Sequence, residues 1–313
     1  MIEVKDIELS NSSNSRKLVE QLYSSGGFTA KKVGEGTRIL GEMIEEKNCL
    51  RFLSFPADII ATGTRGVVRK LIEQRLFDIV VTTCGTLDHD ISRTFKPYFH
   101  GFFEADDAAL YKKGFHRLGN IFIPIANHGP VIERVMQKVL ANLWRQGKRE
   151  LASYELVWEI GNYLMKNKQA QKNLEKSIIY WATKNKIPVV IPGITDGAAG
   201  TQIYLFSQDR DFKVNVLKDE KLLAREVLSA KKSGALIIGG GISKHHVIWW
   251  NQFRKGLDYA VQITTAPEWD GSLSGARTRE AISWGKIKEK AKHVTIEGDA
   301  TVLLPLMCSA LLK

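Results

Sequence analysis

The feature that most restricts the fold of this 313-residue chain is a repeat of short apolar segments that each end in a glycine-rich or polar tip. The apolar segments have the length of strands and occupy residues 77–82, 187–191, 235–238 and 259–264. The tips read TTCG at 82–85, GITDG at 193–197, GGG at 239–241 and TTA at 264–266. Because helical patterns lie between these segments, the alternation predicts parallel strands joined by helices. Ligands bind at the carboxyl ends of such strands, so the tips are candidates for a binding site.

Further segments complete the predicted secondary structure. We predict additional strands at residues 50–55, 120–124 and 294–297, and helices at 15–23, 64–74 and 130–144. After two glycines, Thr29 is predicted to cap a helix with an apolar stripe at Val33, Leu40 and Ile44. Neither a low-complexity linker nor an internal repeat divides the chain. The sequence therefore predicts an α/β fold, with an arm and short helix at 1–27 and a single Rossmann-like, doubly wound domain with a mostly parallel sheet at 28–313.

Composition excludes several classes of protein. The hydrophobic content of 44% suffices for a large core, whereas no apolar run reaches the length of a membrane span. The first residues contain acidic groups and no apolar stretch, so we expect no secretory signal and a cytoplasmic location. Cys49, Cys84 and Cys308 lack CxxC spacing, which predicts reduced thiols and no structural zinc site.

The net charge of +11 is compatible with nucleic-acid binding, because clustered basic side chains release the counterions of phosphate groups. The lysines here are scattered over predicted helix faces, as at Lys166, Lys172 and Lys184, without a dense patch or stacking aromatic residues. Solvated surface charge is the better interpretation. We therefore expect neither a nucleic-acid partner nor a membrane partner.

The four tips taken together favour a dinucleotide ligand. Small residues let a ligand approach the backbone, and the helix that follows each tip offers amide groups to a pyrophosphate. Any one of these glycines could instead serve only to make a tight turn. None of the tips has the GxGxxG spacing, so this pattern alone leaves the nature of the ligand open.

A loop that follows the predicted strand 259–264 is rich in polar side chains and glycines, and it ends in Trp284, Gly285 and Lys286. This ending resembles the active-site segment of the deoxyhypusine synthase family. The same order of motifs as in that family continues through TTCG at 82–85, RLGN at 117–120, ITDG at 194–197, residues 239–246 and GDA at 298–300. The resemblance extends from about residue 26 to the C-terminus, and six ordered motifs are far more specific than one glycine signature.

The resemblance implies an enzyme that uses NAD to transfer the aminobutyl group of spermidine to one lysine of the translation initiation factor five-A precursor. It also implies a cytoplasmic homotetramer with active sites between paired subunits, in which Trp249 and Trp250 are candidate packing residues. Residues 28–313 would then form the NAD-binding catalytic domain. By position in the family, the expected NAD-binding residues are Ala57, Ala61, Thr83, Cys84, Gly85, Asp196, Gly240, Thr265, Ala266, Asp270, Asp299 and Ala300.

The resemblance further implies that Lys286 carries the aminobutyl group as an imine, with His245 and Glu280 as the other catalytic residues. The expected substrate-binding residues are Asp88, His89, Gly271, Ser272 and Trp284. A lysine next to a tryptophan and near a carboxylate is a chemically sensible nucleophile, although most lysines are solvated surface charges.

Simpler roles stay open for several of these residues. Asp196 and Asp299 could be helix N-caps, and Asp88 could be part of a polar helix start. The pair formed by His245 and His246 suggests a metal site, but adjacent histidines point in different directions and no third ligand has helical spacing. We therefore predict no metal.

The chain also departs from the better-known branch of the family. Asp88 and His89 occupy the positions of two glutamates, and Thr201 and Leu273 occupy positions where acidic residues hold a polyamine. These departures leave agmatine as an alternative to spermidine. Two other functions also stay open: a homospermidine synthase that gives the group to a small diamine, and a nucleotide-binding protein without turnover.

Overall fold

The computed structural model of the chain describes residues 3–11 and 14–312. Parts of the predicted arm, namely Met1, Ile2, Ser12 and Ser13, lie outside the described residues. The α-helices are α1 (Ser15–Ser25), α2 (Phe28–Glu45), α3 (Arg65–Glu73), α4 (Gly85–Phe95), α5 (Asp107–Lys112), α6 (Gly129–Arg145), α7 (Ser153–Lys166), α8 (Ile178–Asn185), α9 (Ala198–Ser207), α10 (Leu217–Ser229), α11 (Gly241–Gln252), α12 (Glu280–Ser283) and α13 (Ala300–Leu311). The strands are β1 (Cys49–Ser54), β2 (Ile79–Val81), β3 (Phe99–His100), β4 (Phe115–Leu118), β5 (Ile121–Pro124), β6 (Glu150–Leu151), β7 (Val189–Val190), β8 (Lys213–Val214), β9 (Lys232–Ile238), β10 (Leu257–Thr264) and β11 (Ile287–Glu297).

The chain divides into two compact units. The first unit comprises Met1–Phe55, Leu76–Val81 and Leu223–Lys313, and the second comprises Pro56–Arg75 and Thr82–Leu222. The boundary predicted between residues 27 and 28 is a different division of the chain, and it stays a prediction. Across residues 3–11 and 14–312, no helix combines the length and the apolar character that crossing a bilayer requires.

The first unit contains a parallel sheet in the order β11-β10-β9-β1-β2. Strands β2, β9 and β10 are buried on both faces and read as almost continuous apolar runs, which is typical of parallel sheets. The predicted α/β class and mostly parallel sheet are therefore confirmed. The last strand is longer than predicted, because its first half consists mainly of charged residues and lacks the apolar run by which a buried strand is predicted.

Helices cover both faces of this sheet. Gly234 faces α2, since an added Cβ atom there would lie 2.6 Å from the sulfur of Met43. The neighbouring Ser233 faces α11, where its hydroxyl donates to Oδ1 of Asn251 at 2.6 Å. Successive side chains of a strand point to opposite faces, so α2 and α11 lie on opposite sides of the sheet, as the prediction of a doubly wound sheet requires.

The start of α2 differs from the prediction. Thr29 does not cap this helix: the N-cap residue is Gly27, which has no side chain to accept a hydrogen bond, and the helix begins at Phe28. Thr29 thus lies inside the first turn. The preceding helix α1 does have a side-chain cap, because Oδ1 of Asn14 accepts the N–H of Lys17 at 3.0 Å.

The second unit is mainly helical. The predicted strand at 120–124 exists as β5, which pairs antiparallel with β3 and β4 in a small sheet of its own. A second small sheet joins β6 and β8 in parallel.

Buried aspartates hold the helices of the second unit together. Asp90 accepts the backbone N–H groups of Ile178 and Ile179 at the start of α8, at 3.1 and 3.0 Å, and Nε of Arg65 donates to it at 2.7 Å. Asp219 likewise accepts the N–H groups of Ser153 and Tyr154 at the start of α7. Burial raises the pKa of Asp219 to about 6. Each carboxylate supplies acceptors to N–H groups that have no partner within their helix.

Replacing Asp90 by alanine should lower the free energy of unfolding by about 3–5 kcal/mol, because the guanidinium of Arg65 would stay buried without a counter-charge. Urea denaturation followed by circular dichroism measures this difference. Asp107→Ala is the matched control, since Asp107 pairs with Arg117 at the surface and its loss should leave the unfolding midpoint unchanged. Equal midpoints for the two variants would contradict the structural role of Asp90.

Candidate active site

Three strand tips of the first unit meet at one edge of its sheet. The N–H of Gly239 donates to the carbonyl of Ile263 at 2.8 Å, and the N–H of Gly298 donates to the carbonyl of Thr264 at 2.9 Å. These bonds join the carboxyl ends of β9, β10 and β11 side by side. The structure thereby brings together the regions that contain the predicted cofactor-binding residues Gly240, Thr265, Ala266, Asp299 and Ala300.

The loop between β10 and α12 is held in place by buried side chains. Nζ of Lys244 donates to the carbonyls of Leu273 and Ala276 at 2.7 and 2.6 Å. Between these two positions, the carbonyl of Ser274 accepts the hydroxyl of Thr264 at 2.9 Å. The same loop packs closely against Gly240, where a side chain would not fit, because an added Cβ atom would lie 2.4 Å from Cα of Ser274. The loop therefore has a fixed conformation next to the strand tips.

Sequence reasoning missed Lys244 as a residue of the site. Its side chain is 2% exposed, and burial lowers its pKa to about 8. The residue directly precedes the predicted His245, but nothing in the sequence distinguishes it from the many solvated lysines. Arg277 was missed for the same reason; it is buried and donates to the carbonyl of Ala266 at 3.1 Å.

A cavity of about 340 Å³ brings the predicted catalytic residues together. Lys286, His245 and Glu280 all line it, together with Trp284, which was predicted to bind substrate. The remaining lining residues are Lys244, Ile248, Trp249, Leu273, Ala276, Arg277 and Ala281.

The backbone of Lys286 is fixed by two hydrogen bonds. Its N–H donates to the carbonyl of Ala281, and its own carbonyl accepts the N–H of Leu257, both at 3.0 Å. The preceding Gly285 has a φ of +66°, a conformation that favours glycine and lets the chain turn from α12 into β11. The Lys286 residue is only 7% exposed, so a potential nucleophile is held inside the protein.

Three rings surround the amine of Lys286. Its Nζ lies 3.4 Å from Nε2 of His245, 4.9 Å from the centroid of the Trp284 ring and 5.6 Å from that of the Trp249 ring. The rings of His245 and Trp249 are in turn 5.6 Å apart, with an angle of 31° between their planes. Trp249, a candidate packing residue in the sequence, thus lies on the cavity wall.

The environment of His245 favours the neutral form of its imidazole. Burial lowers its pKa, and the positive charge of Lys286 lowers it further. A neutral imidazole next to an amine can accept a proton at neutral pH.

Other predicted residues of this loop lie outside the cavity. Gly271 and Ser272 are exposed, and neither belongs to the described residues that line it. The N–H of Ser272 donates to the carboxylate of Asp270 at 2.7 Å, so these residues form a turn of their own. Their predicted roles stay predictions.

The second unit brings together another group of predicted residues. An added Cβ atom on Gly85 would lie 2.9 Å from Cβ of Ala57, and one on Gly197 would lie 2.8 Å from Sγ of Cys84. The short helix Ala57–Ala61 places Ala61 one turn beyond Ala57. Cys84 is fully buried, and this burial raises its pKa to about 12, so its thiol stays protonated.

Asp88 has a structural role that the sequence left open. Its two carboxylate oxygens accept the N–H groups of Ala198 and Ala199, at 2.9 and 2.8 Å, at the start of α9. Burial raises the pKa of this carboxyl group. Asp88 therefore caps α9, and the alternative in which Asp196 is the N-cap of that helix is wrong, because the N-cap position belongs to Gly197.

Two further residues have clear local contacts. Asp299 is the N-cap of α13, since its carboxylate accepts the N–H of Thr301 at 2.7 Å, which confirms the capping alternative without excluding a second role. His89 is hydrogen-bonded through Nδ1 to the hydroxyl of Tyr98 at 3.1 Å, and that hydroxyl also contacts Nδ1 of His128 at 2.9 Å. Burial lowers the pKa of His89 to about 4.

Among the residues that the structure describes, no group of three or more histidine, cysteine, aspartate or glutamate side chains has the arrangement of a metal site. A larger groove, of about 710 Å³, lies along α6 and α7 in the second unit. None of the residues predicted to act in catalysis or binding lines that groove, so its size does not make it the better candidate.

The pKa of His245 should rise in Lys286→Met, because the variant removes the positive charge while the burial persists. Titration of the imidazole C–H signals by NMR measures this change, with His245→Gln to assign the signal. Lys288→Met is the control, since the ammonium of Lys288 pairs with Asp258. If the pKa of His245 is the same in Lys286→Met and in the unmodified protein, the proximity of the two side chains is not maintained in solution.

Comparison with known proteins shows which family the chain belongs to. A sequence model of the deoxyhypusine synthase family matches residues 17–311. A probable deoxyhypusine synthase of Picrophilus torridus is 51% identical over 311 residues, which cover 99% of this chain and 97% of that protein. A second one, from Ignicoccus hospitalis, is 50% identical over 315 residues, which cover 99% and 95%.

A solved structure supports the fold. The crystal structure of a putative deoxyhypusine synthase from Entamoeba histolytica superimposes with a TM-score of 0.64 at 20% identity, covering 98% of this chain and 96% of that one. At this identity the likeness shows the fold alone. The family match and the archaeal relatives carry the assignment further, and together they show that the chain belongs to the deoxyhypusine synthase family of transferases.

Proposed function

We propose that this protein transfers the aminobutyl group of spermidine to a lysine of the translation initiation factor five-A precursor, with NAD as cofactor. The observation that supports this proposal most directly is the buried amine of Lys286, which lies 3.4 Å from the imidazole of His245 in a cavity that Glu280 and Trp284 also line. An amine in such a place suits attack on an imine or carbonyl carbon.

The residues of the chain have distinct roles in this reaction. The chemistry that NAD would supply when bound is reversible hydride transfer, which would oxidise spermidine to an imine and later reduce the product, so that no net redox change results. His245 accepts the proton that the amine loses, because its imidazole is neutral. Nζ of Lys286 then attacks the imine carbon and displaces propane-1,3-diamine. The acceptor lysine replaces Lys286 in the same way and releases it for another cycle.

The small residues at the strand tips are compatible with NAD. In the first unit, Thr265 is exposed and Ala266 is half-buried at one strand tip, and the exposed carboxylate of Asp299 can accept a hydrogen bond from a ribose hydroxyl. In the second unit, Gly85 leaves space that a Cβ atom would fill against Ala57. We assign the twelve predicted cofactor-binding residues to NAD on this basis and on membership of the family.

Family membership also supports the remaining proposals, which are a cytoplasmic homotetramer with active sites between subunits and no nucleic-acid or membrane partner. A nucleotide-binding protein without turnover is the weaker alternative, because it would have no use for a buried lysine next to a neutral histidine. A homospermidine synthase would share the Lys286 chemistry and differ only in the acceptor.

The identity of the donor amine depends on which carboxylates can pair with its nitrogens. Thr201 donates its hydroxyl to the carbonyl of Gly197 at 3.1 Å, and the Leu273 side chain is apolar, so neither supplies a carboxylate to a polyamine. Asp88 already accepts two backbone N–H groups and would hold an amine only with its remaining lone pairs. We propose spermidine as donor and keep agmatine as the alternative; a competition assay with both amines distinguishes them.

Lys286 should be the residue that carries the aminobutyl group. Borohydride reduction during turnover, followed by peptide mass mapping, should locate the group there, and mass analysis of the acceptor should show deoxyhypusine. Lys286→Arg should lose at least about a hundredfold in transfer rate, because a guanidinium stays protonated and cannot attack. Lys288→Arg, two residues further along the chain, should keep its activity. Modification of a different lysine, or transfer to a small diamine alone, would contradict the proposal.

Asp299→Ala should weaken NAD binding about tenfold, which corresponds to the loss of one hydrogen bond to a charged group. Isothermal calorimetry measures this affinity. Asp106→Ala is the matched control, because Asp106 also caps a helix at the surface, through the N–H of Ala109, and is not predicted to contact NAD. If Asp299→Ala binds NAD as tightly as the control variant, capping is the whole role of Asp299.

A further inference from the structure

We propose that Trp249 determines which alkyl group Lys286 can carry, because its ring and that of Trp284 form a slot for an unbranched chain attached to Nζ. This inference rests on the proposed function for the identity of the natural donor. The slot itself is defined by the two indole centroids, 5.6 and 4.9 Å from Nζ.

The ring of Trp249 is held in position by its own helix. His245 and Trp249 are four residues apart on α11, so their side chains lie on the same face, and their rings are 5.6 Å apart. On the other side, the ring of Phe253 meets that of Trp249 nearly edge-on, at 6.0 Å and 86°. Trp249 is nevertheless 42% exposed, so part of its surface remains free to contact a ligand.

The other walls of the cavity are also apolar. Ile248, Leu273, Ala276 and Ala281 contribute only hydrocarbon side chains. Among the described residues that line the cavity, Glu280 carries the one carboxylate.

The other cationic side chains of the lining are already engaged. Lys244 donates to two loop carbonyls, and Arg277 donates to the carbonyl of Ala266 and lies 3.5 Å from Glu297.

These walls determine what the slot can bind. In the free protein, Nζ of Lys286 lies over both indole rings, within the range of a cation–π interaction. Once Nζ is bonded to carbon, the methylene groups of the attached chain would pack against the same faces. Burial of apolar surface would then favour a longer straight chain over a shorter one, whereas a branch next to the reacting carbon would collide with one of the rings.

Simple aldehydes test this inference without cofactor, spermidine or acceptor protein. The amine of Lys286 condenses with an aldehyde, releasing water, and borohydride reduces the resulting imine to a stable secondary amine. Labelling of Lys286 by ethanal, propanal and butanal at sub-saturating concentrations is quantified by peptide mass mapping. Lys286→Met gives the background from other lysines.

In the wild-type protein, labelling of Lys286 should rise about fourfold for each methylene group added to the aldehyde, as expected for burying one CH₂ group. In Trp249→Ala, the increase in labelling per added methylene should fall to less than about twofold. Trp249→Phe should show an intermediate increase, because a phenyl ring supplies part of the apolar wall. Labelling by 2-methylpropanal relative to butanal should be low in the unmodified protein and higher in Trp249→Ala.

Trp269→Ala is the matched control, since Trp269 is 89% exposed in the segment between β10 and α12 and does not line the cavity. The inference would be overturned if the increase in labelling per methylene is unchanged in Trp249→Ala, or if Trp269→Ala reduces it equally. Circular dichroism checks that the variants are folded, and the Phe variant decides the question if the Ala variant is not.

The outcome is independent of the proposed function. One outcome is that the wild-type protein does not transfer an aminobutyl group, while the dependence of Lys286 labelling on aldehyde length requires Trp249. The proposed reaction is then wrong, and the inference about the slot still holds. If transfer occurs and the chain-length dependence does not require Trp249, the slot is wrong and the reaction remains.

Discussion

The second unit depends on buried carboxylates that cap helices distant in sequence. Asp88, Asp90 and Asp219 each accept two backbone N–H groups at the start of α9, α8 and α7 respectively. A charge in the protein interior is costly unless donors surround it, and helix N-termini supply both donors and a favourable dipole. These contacts fix the start of each helix against another part of the chain. Through Asp88, the cap of α9 also sets the position of the predicted cofactor-binding segment around Cys84.

The first unit uses the opposite arrangement, in which buried cations hold backbone carbonyls. Lys244 and Arg277 donate to carbonyls of the loop between β10 and α12, and the hydroxyl of Thr264 donates to another. A loop without regular structure must satisfy its polar backbone groups in some way, and here side chains of α11, β10 and the loop itself do so. The result is a fixed wall for the cavity in which Lys286 and His245 meet.

Much of the fold and part of the site could be predicted from the sequence. The positions of β1, β9 and β10 follow from local apolar runs. The three residues predicted to act in catalysis, Lys286, His245 and Glu280, do line one cavity. The capping of α9 by Asp88 could not be predicted, because it joins residues 110 or more positions apart. The same limit applies to Lys244, whose burial depends on how a later loop folds over α11, and to Trp249, whose orientation is set by its neighbours in space.

The backbone of Lys286 is anchored at the amino ends of β10 and β11, where its carbonyl pairs with Leu257, whereas the loop that walls the cavity starts at the carboxyl end of β10. The backbone of Lys286 and the start of the loop are therefore anchored at opposite ends of β10, although Lys286 and the loop both contribute to the lining of one cavity. A substitution in the loop can reshape the walls without removing the hydrogen bond that anchors the Lys286 carbonyl. For protein engineering, this separation means that the shape of the cavity can be altered at Leu273 or Ala276 while the anchor of Lys286 is left in place.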